Sequence, residues 1–346
     1  MVDVRFYQRQ GPFTLSEIAQ WTGAVIRLPS IPAFKSVPFI DVAALDKATD
    51  RDIAFLDNTK YTDNFYASKA GACFVREKYA NGAPQGMTLL LSEDPYRCYA
   101  ITAQKFYPTL PYKSDISKQA HIDPTASFGK GCSVAAGAHI GARVTVGDNT
   151  HIGANVVLDD GVCIGSNCFI GAGSTLSHCI IANHVIIHRN VNIGQDGFGF
   201  AMGREGHIKV PQLGRVIIDD NVEIGSGTCI DRGTGPDTSI GAGTKIDNLV
   251  QIGHNVQIGK NAIIVSQVGI SGSTRIGDGA VLGGQVGVAG HLRIGAGSKL
   301  AAKAGVMNDI PNGAAFGGTP AVPIKDWHRQ SIVLAKLSQK RKIEDD

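Results

Sequence analysis

From Ile116 to Val306 an aliphatic residue, or once Phe, returns at every sixth position, and few folds tolerate so strict a rule. One run reads Ile116, Ile122, Phe128, Val134, Ile140, Val146 and continues in step to Leu176; another runs in step from Ile240 through Ile252, Ile258 and Ile270 to Val306. Neither the 3.6-residue period of a helix nor the period of two of a single strand produces a six. Three short strands joined by tight corners do, and three sixes make one coil of a parallel β-helix. Residues eighteen apart then stack in a column, one inter-strand spacing of roughly 4.8 Å per coil. Gly often follows the aliphatic residue, as in Ile152-Gly153 and Ile258-Gly259, where a bulky side chain would obstruct a backbone turn.

The period breaks in three places. The step from Leu176 to Ile181 is five; a long excursion from Gly194 through Arg215 separates Ile193 from Ile218; a shorter one, Asp231 to Ser239, follows Ile230. Long loops on a rigid scaffold are disproportionately binding loops, so the two excursions are the first places to look for function.

Three segments are expected: a mixed α/β unit over residues 1–110, the prism over 111–311 and a helical extension over 312–346. In the first, Thr14-Leu15-Ser16-Glu17 is a capping box for a short helix that Gly23 closes, and Asp94-Pro95 starts a second helix. Residues 53–56, 72–75 and 88–91 are apolar runs suited to strands. In the last, Trp327 to Lys342 reads as an amphipathic helix with Leu334 and Leu337 apolar and Lys336, Lys340, Arg341 and Lys342 basic.

With 346 residues, 43% hydrophobic, the chain can hold a large core, and a net charge of +3 argues against a polycationic nucleic-acid binder. No apolar run is long enough to span a bilayer and no cleavable leader is visible, so a cytoplasmic location without a transmembrane segment is expected. Seven cysteines without paired metal-type spacing fit reduced thiols, with Cys163 and Cys168 as structural fillers.

Column arithmetic singles out one histidine among ten. Gly272 lies eighteen residues after His254 and Gly290 eighteen further, with His291 beside it. A general base, an unobstructed backbone N–H and a second imidazole then share one wall. That set suits acyl transfer, in which imidazole takes a proton from the attacking group and the N–H stabilises the oxyanion. Asp247 is a possible partner for His254. A rival reading is metal-dependent hydration chemistry: His121 and His139 should stack, but a zinc site needs three or four converging ligands and no His-x4-His pair is present, so no metal is expected.

Four strings in order carry a more specific likeness: Gln195-Asp196-Gly197-Phe198-Gly199-Phe200, Lys209-Val210-Pro211-Gln212-Leu213-Gly214-Arg215-Val216, Ile230-Asp231-Arg232-Gly233, and Ile246-Asp247-Asn248 to His254-Asn255-Val256. With the three-part layout they closely resemble the UDP-3-O-(3-hydroxyacyl)glucosamine N-acyltransferases of lipid A biosynthesis, over nearly the whole chain. The resemblance implies a left-handed parallel β-helix assembled as a homotrimer, with active sites between subunits. It implies transfer of an (R)-3-hydroxyacyl group from the phosphopantetheine of acyl carrier protein to the 2-amine of UDP-3-O-acyl-glucosamine, with no cofactor bound by the enzyme itself. By motif, His254 becomes the base, Gly272 the oxyanion donor and His291 a second important imidazole, while Asp247 and Asn248 support the histidine and contact substrate. Phe55, Asn58 and Tyr61, in Phe-x-x-Asn-x-x-Tyr, resemble the family's uridine pocket; from the residues alone Phe55 reads as strand core. The basic terminal helix resembles the family's carrier-protein docking element. Other hexapeptide acyltransferases, including one acting on a UDP-sugar hydroxyl, and a non-catalytic scaffold stand as alternatives.

Overall fold

The computed structural model describes residues 2–29, 37–109 and 112–344, with side chains in the terminal helix as far as Ser338. Two compact units divide the chain, Met1–Pro111 and Tyr112–Asp346.

The first unit is a five-stranded sheet with helices. Helix α1 (Leu15–Thr22) opens on the expected box: Thr14 Oγ1 accepts from the Glu17 N–H at 3.3 Å, and Glu17 Oε2 accepts from the Thr14 N–H at 2.8 Å. Gly23 ends it at φ 70, where a side chain would be strained. The strands are β1 (Val25–Arg27), β2 (Asp41–Val42), β3 (Asp52–Leu56), β4 (Ala72–Val75) and β5 (Thr88–Leu91), in the order β1-β5-β4-β3-β2, with β1 alone antiparallel to its neighbour. Strands β3, β4 and β5 fall on the three apolar runs. The edge strands β1 and β2 are short and partly or fully exposed, so no apolar run marks them. A short helix α2 (Thr62–Tyr66) follows β3, and α3 (Pro95–Phe106) starts where Asp94 Oδ1 accepts from the Arg97 N–H at 3.0 Å.

The second unit is a parallel β-helix with three sheets of nine, ten and ten strands. Most strands are two residues long, and pairing follows the column rule: Ile252 lies against Ile270 and Val288 against Val306. At the breaks the ladder re-forms after the excursion, Ile193 against Ile230 and Ile230 against Ile252. The coil runs past the expected end at residue 311. Met307–Asp309 shorten one step, Ile310 bridges Ile294, and Ala315–Phe316 pairs with Lys299–Leu300.

Two residues per six face inward, not one. Besides the strand aliphatic, the residue two positions before it is buried at the corner in most coils, as with Val144, Val156, Val185 and Val256 at 0% exposure. Hydroxyls occupy the same corner position at Thr150, Ser174, Thr228, Thr244 and Thr274, and each donates to a backbone carbonyl of the next coil, Thr244 to Gly259 O at 2.8 Å. The strand-following glycines are needed for proximity more than for conformational freedom: a Cβ on Gly153 would stand 2.7 Å from Ala172 N. Positive φ belongs instead two residues later, at Asn149, Asn155, Asn167 and Asn261 among others.

All seven cysteines are unpaired. His121 and His139 stack with centroids 4.8 Å apart, and among the described residues no group of three or more His, Cys, Asp or Glu converges as a metal site. Helix α4 (Ile324–Glu344) begins earlier than Trp327 because Pro323 O accepts from the Asp326 and Trp327 N–H groups. The Lys340, Arg341 and Lys342 side chains lie outside the described residues. Among the described residues no helix is long and apolar enough to cross a membrane.

The corner hydroxyls differ in a way that stability measurements can read. Thr244 both donates to Gly259 O and accepts from the Ala262 N–H at 3.1 Å, whereas the buried Ser298 hydroxyl has no partner among the described residues. Thr244→Val should cost about 1–3 kcal/mol by orphaning buried backbone groups, and Ser298→Ala should fall within about 0.5 kcal/mol of the parent. Chemical denaturation checks both; equal losses would contradict the bonding described.

Candidate active site

Along one sheet the outward positions run Asn192, Cys229, Gln251, Gly269, Gly287, Gly305, one per coil. The three consecutive glycines leave a bare floor, with no atom within 4 Å of where their Cβ atoms would be. Above it lies an open cavity of about 1220 Å³, walled by Phe198, Phe200 and Lys209 from the long excursion and reaching Met307 at the far end. His254 and Gly272 line it.

Here the columns do chemistry as well as packing. A Cβ on Gly272 would stand 2.6 Å from His254 Nε2, so only glycine lets the imidazole lie against the next coil. The other nitrogen is occupied. Asn255 Oδ1 sits 2.8 Å from His254 Nδ1 and also accepts from the Thr234 N–H at 3.2 Å, while Asn255 Nδ2 donates to Pro236 O at 2.6 Å. The carboxamide is thereby oriented oxygen-first, so Nδ1 carries the proton and Nε2 presents a lone pair. Thr234 Oγ1 lies 3.5 Å from the same Nδ1 and donates to Gln212 Oε1 at 3.1 Å.

The backbone donor follows from what the corner lacks. At three other corners the N–H two residues past the buried aliphatic is taken by a carboxylate one coil on: Lys130 by Asp148 Oδ1 at 2.7 Å, Ala142 by Asp160 Oδ1 at 2.8 Å, Lys260 by Asp278 Oδ1 at 2.7 Å. Above Gly272 the corresponding residue is Gly290, which brings no side chain. The Gly272 N–H makes no hydrogen bond to any described residue.

The excursions hold this arrangement in place. Arg232, largely buried, donates through Nε to Gln212 O at 2.9 Å and through Nη1 to Gly194 O at 2.8 Å, and pairs with Asp196 together with Lys209. Lys209, then Arg232, hold the Asp196 carboxyl below the usual carboxylate range. Gly197 presses against the histidine, since a Cβ there would stand 2.5 Å from His254 Cβ. Asp231 also lines the cavity; burial pushes its carboxyl above the ordinary range, against the pull of hydrogen bonds from Gln195 and Gln251 and of nearby His254.

A second cavity, about 530 Å³, lies within the first unit. Phe55, Asn58 and Tyr61 line it. Phe55 is on β3 but only half-buried, its ring 4.5 Å from Tyr99 and 5.1 Å from Tyr96. Asn58 Oδ1 accepts from the Lys60 N–H at 3.0 Å, so its Nδ2 is the end free to donate.

Comparison with known proteins shows the family. Residues 38–105 match the model for UDP-3-O-(3-hydroxymyristoyl) glucosamine N-acyltransferase, LpxD, and residues 143–178 and 237–272 match the bacterial transferase hexapeptide model. The UDP-3-O-acylglucosamine N-acyltransferase of Methylorubrum extorquens (strain PA1) is 46% identical over 98% of both chains. That of Parvibaculum lavamentivorans (strain DS-1) is 49% identical over 99% of this chain and 98% of its own. This chain belongs to the UDP-3-O-acylglucosamine N-acyltransferase family.

Within this N-acyltransferase the expected site residues do not all gather. His254 and Gly272 meet. The His291 N–H donates to Gly272 O at 3.0 Å, but its exposed side chain is not among the residues that line the cavity. Asp247 and Asn248 stand at a different corner of the same chain: Asn248 Oδ1 accepts from the Ser226 N–H at 2.7 Å and Asp247 Oδ2 from the Ser266 N–H at 3.1 Å. The partner of the histidine is Asn255. Sequence reasoning passed over it, although its adjacency to His254 in an asparagine-rich corner position was visible. Gln212 and Asp231 stand in the strings that carry the likeness without a role assigned to them there, and Thr234 lies in the shorter excursion, where no period points to it.

Gly272→Ala should displace the imidazole while leaving the coil intact. Acyl transfer is expected to fall by about 10²-fold or more, with an unchanged circular dichroism spectrum. Near-parental activity would mean that the close approach is not required.

Proposed function

We propose that this enzyme moves an (R)-3-hydroxyacyl group from the phosphopantetheine thioester of acyl carrier protein to the 2-amine of UDP-3-O-acyl-glucosamine. The observation that carries the reading is the unprotonated Nε2 of His254 lying against a glycine corner whose N–H is open. The amine nitrogen attacks the thioester carbon, and the new oxyanion takes the Gly272 N–H. His254 Nε2 accepts a proton from nitrogen. Collapse re-forms the carbonyl and breaks the C–S bond, and the imidazolium gives its proton to the departing thiolate. A positioned base contributes about 10²–10⁴-fold and one oxyanion donor about 10²–10³-fold, enough for an already activated thioester.

The glycine floor suits the donor's acyl chain, since three bare coils at roughly 4.8 Å each form an unobstructed apolar trough. The first unit suits the nucleotide: Phe55 supplies a face for uracil, the Asn58 Nδ2 donor its carbonyl edge, and Tyr61 a further wall. The scheme needs no metal and no resident cofactor, because the donor brings its own prosthetic arm. A homotrimer in the cytoplasm is consistent with the family layout, and the outward Ile186 and Ile263 on one sheet offer apolar contact to a partner subunit. Lys325, Arg329 and Lys336 on α4 suit an acidic carrier protein.

Mass spectrometry of the product formed from a panel of hydroxyacyl carrier proteins and the UDP-amino sugar tests the assignment, an ester in place of the amide overturning it. His254→Ala should lower kcat by about 10²–10⁴-fold; full activity would remove the mechanism. Gly305→Met, which fills the distal trough, should shift preference toward shorter acyl chains, and an unchanged preference would place the chain elsewhere.

A further inference from the structure

Asp231 sits in one of the four strings that carry the family likeness, yet the reaction as set out gives it no task. Strand Cys229–Ile230 pairs with Gln251–Ile252, and the Asp231 N–H donates to Ile252 O at 2.9 Å. Asp231 therefore stands beside Gly253, one residue from His254, and both side chains line the same cavity. Gln195 Nε2 donates to Asp231 Oδ1 at 2.8 Å. The Gln195 carboxamide thus holds the carboxylate in place without neutralising it.

The cavity floor is chemically divided at this point. Beyond His254 the outward positions are Gly269, Gly287 and Gly305; before it they are Gln251, Cys229 and Asn192. An acyl chain belongs over the glycines, so the acceptor sugar belongs over the polar half. Two acceptors then flank the attacking group from that side, His254 Nε2 and the Asp231 carboxylate.

We propose that Asp231 selects an amine over a hydroxyl as the acceptor: it takes one N–H of the neutral 2-amine while His254 Nε2 takes the other, directing the nitrogen lone pair at the thioester carbon. This rests on the acyl-transfer reading above and adds the residue that sets its nucleophile. Asp231 receives no proton; that passes from nitrogen to His254 and on to the thiolate as before. The carboxylate also offsets the positive charge that builds on nitrogen as the C–N bond forms. A hydroxyl brings a single hydrogen, so one of the two acceptors stays unpaired in a half-buried site, and discrimination follows from that vacancy.

The test uses the full-length enzyme with UDP-3-O-acyl-glucosamine and its 2-hydroxy counterpart, UDP-3-O-acyl-glucose, comparing their dissociation constants at a pH where the amine is neutral. The parent should favour the amine by about tenfold or more, the worth of a hydrogen bond to a charged acceptor. Asp231→Leu should bring the ratio close to one by weakening the amine and sparing the hydroxyl compound. Asp231→Asn, a smaller change in shape, should reduce the ratio in the same direction and decides the matter where the leucine variant does not fold. Equal weakening of both ligands, or a ratio that survives both substitutions, overturns the role of Asp231. A parent enzyme that forms no amide would instead sink the acyl-transfer reading itself.

Discussion

In the β-helix each coil completes its backbone hydrogen bonds on the next, and that continuous parallel ladder is the constraint on which everything else depends. Pairing in strict register leaves each two-residue strand with one inward and one outward side chain, so every outward position becomes a fixed coordinate. The same ladder stops at the corners, where an N–H is left without a partner in its own sheet. Asp148, Asp160 and Asp278 take that N–H from the following coil. Above Gly272, which lines the cavity, Gly290 brings no such acceptor.

A rigid scaffold does not by itself orient a side chain, and the excursions perform that work. Asn255 turns its oxygen to His254 because its Nδ2 donates to Pro236 O while its Oδ1 also accepts from the Thr234 N–H, both in the shorter excursion. Arg232 anchors the longer excursion through two backbone carbonyls and a shared carboxylate. These are buried or half-buried polar contacts, each satisfied by the others, and such networks rigidify a site when complete. The bare trough beyond and the polar floor before His254 then give the cavity two ends of opposite character.

Much of this was legible from spacing. The six-residue period located the strands, the columns and the meeting of His254 with Gly272, and the breaks pointed to the loops that wall the cavity. The second inward position escaped notice because Val, Thr, Ser and Ala share it, so no single residue type announces it. The exposed strands β1 and β2 escaped for a similar reason, having no apolar face to display. Phe55 shows the opposite difficulty: a phenylalanine on a strand reads as core, and only its position at a cavity beside Tyr96 and Tyr99 leaves it half-exposed. Asp247 was a plausible partner for His254 by proximity in sequence, but seven residues along a triangular coil lead round to another corner.

By itself the sequence determined the coil, because an aliphatic residue at every sixth position can be buried in no other regular way, and it determined which residues share a column, because the ladder admits one register. Only the tertiary structure decided what lies around each column. The tautomer of His254 and the holding of the Asp231 carboxylate by Gln195 depend on loops of irregular length returning to the prism. Their contacts are made between residues far apart in the chain by side-chain geometry, which no period encodes.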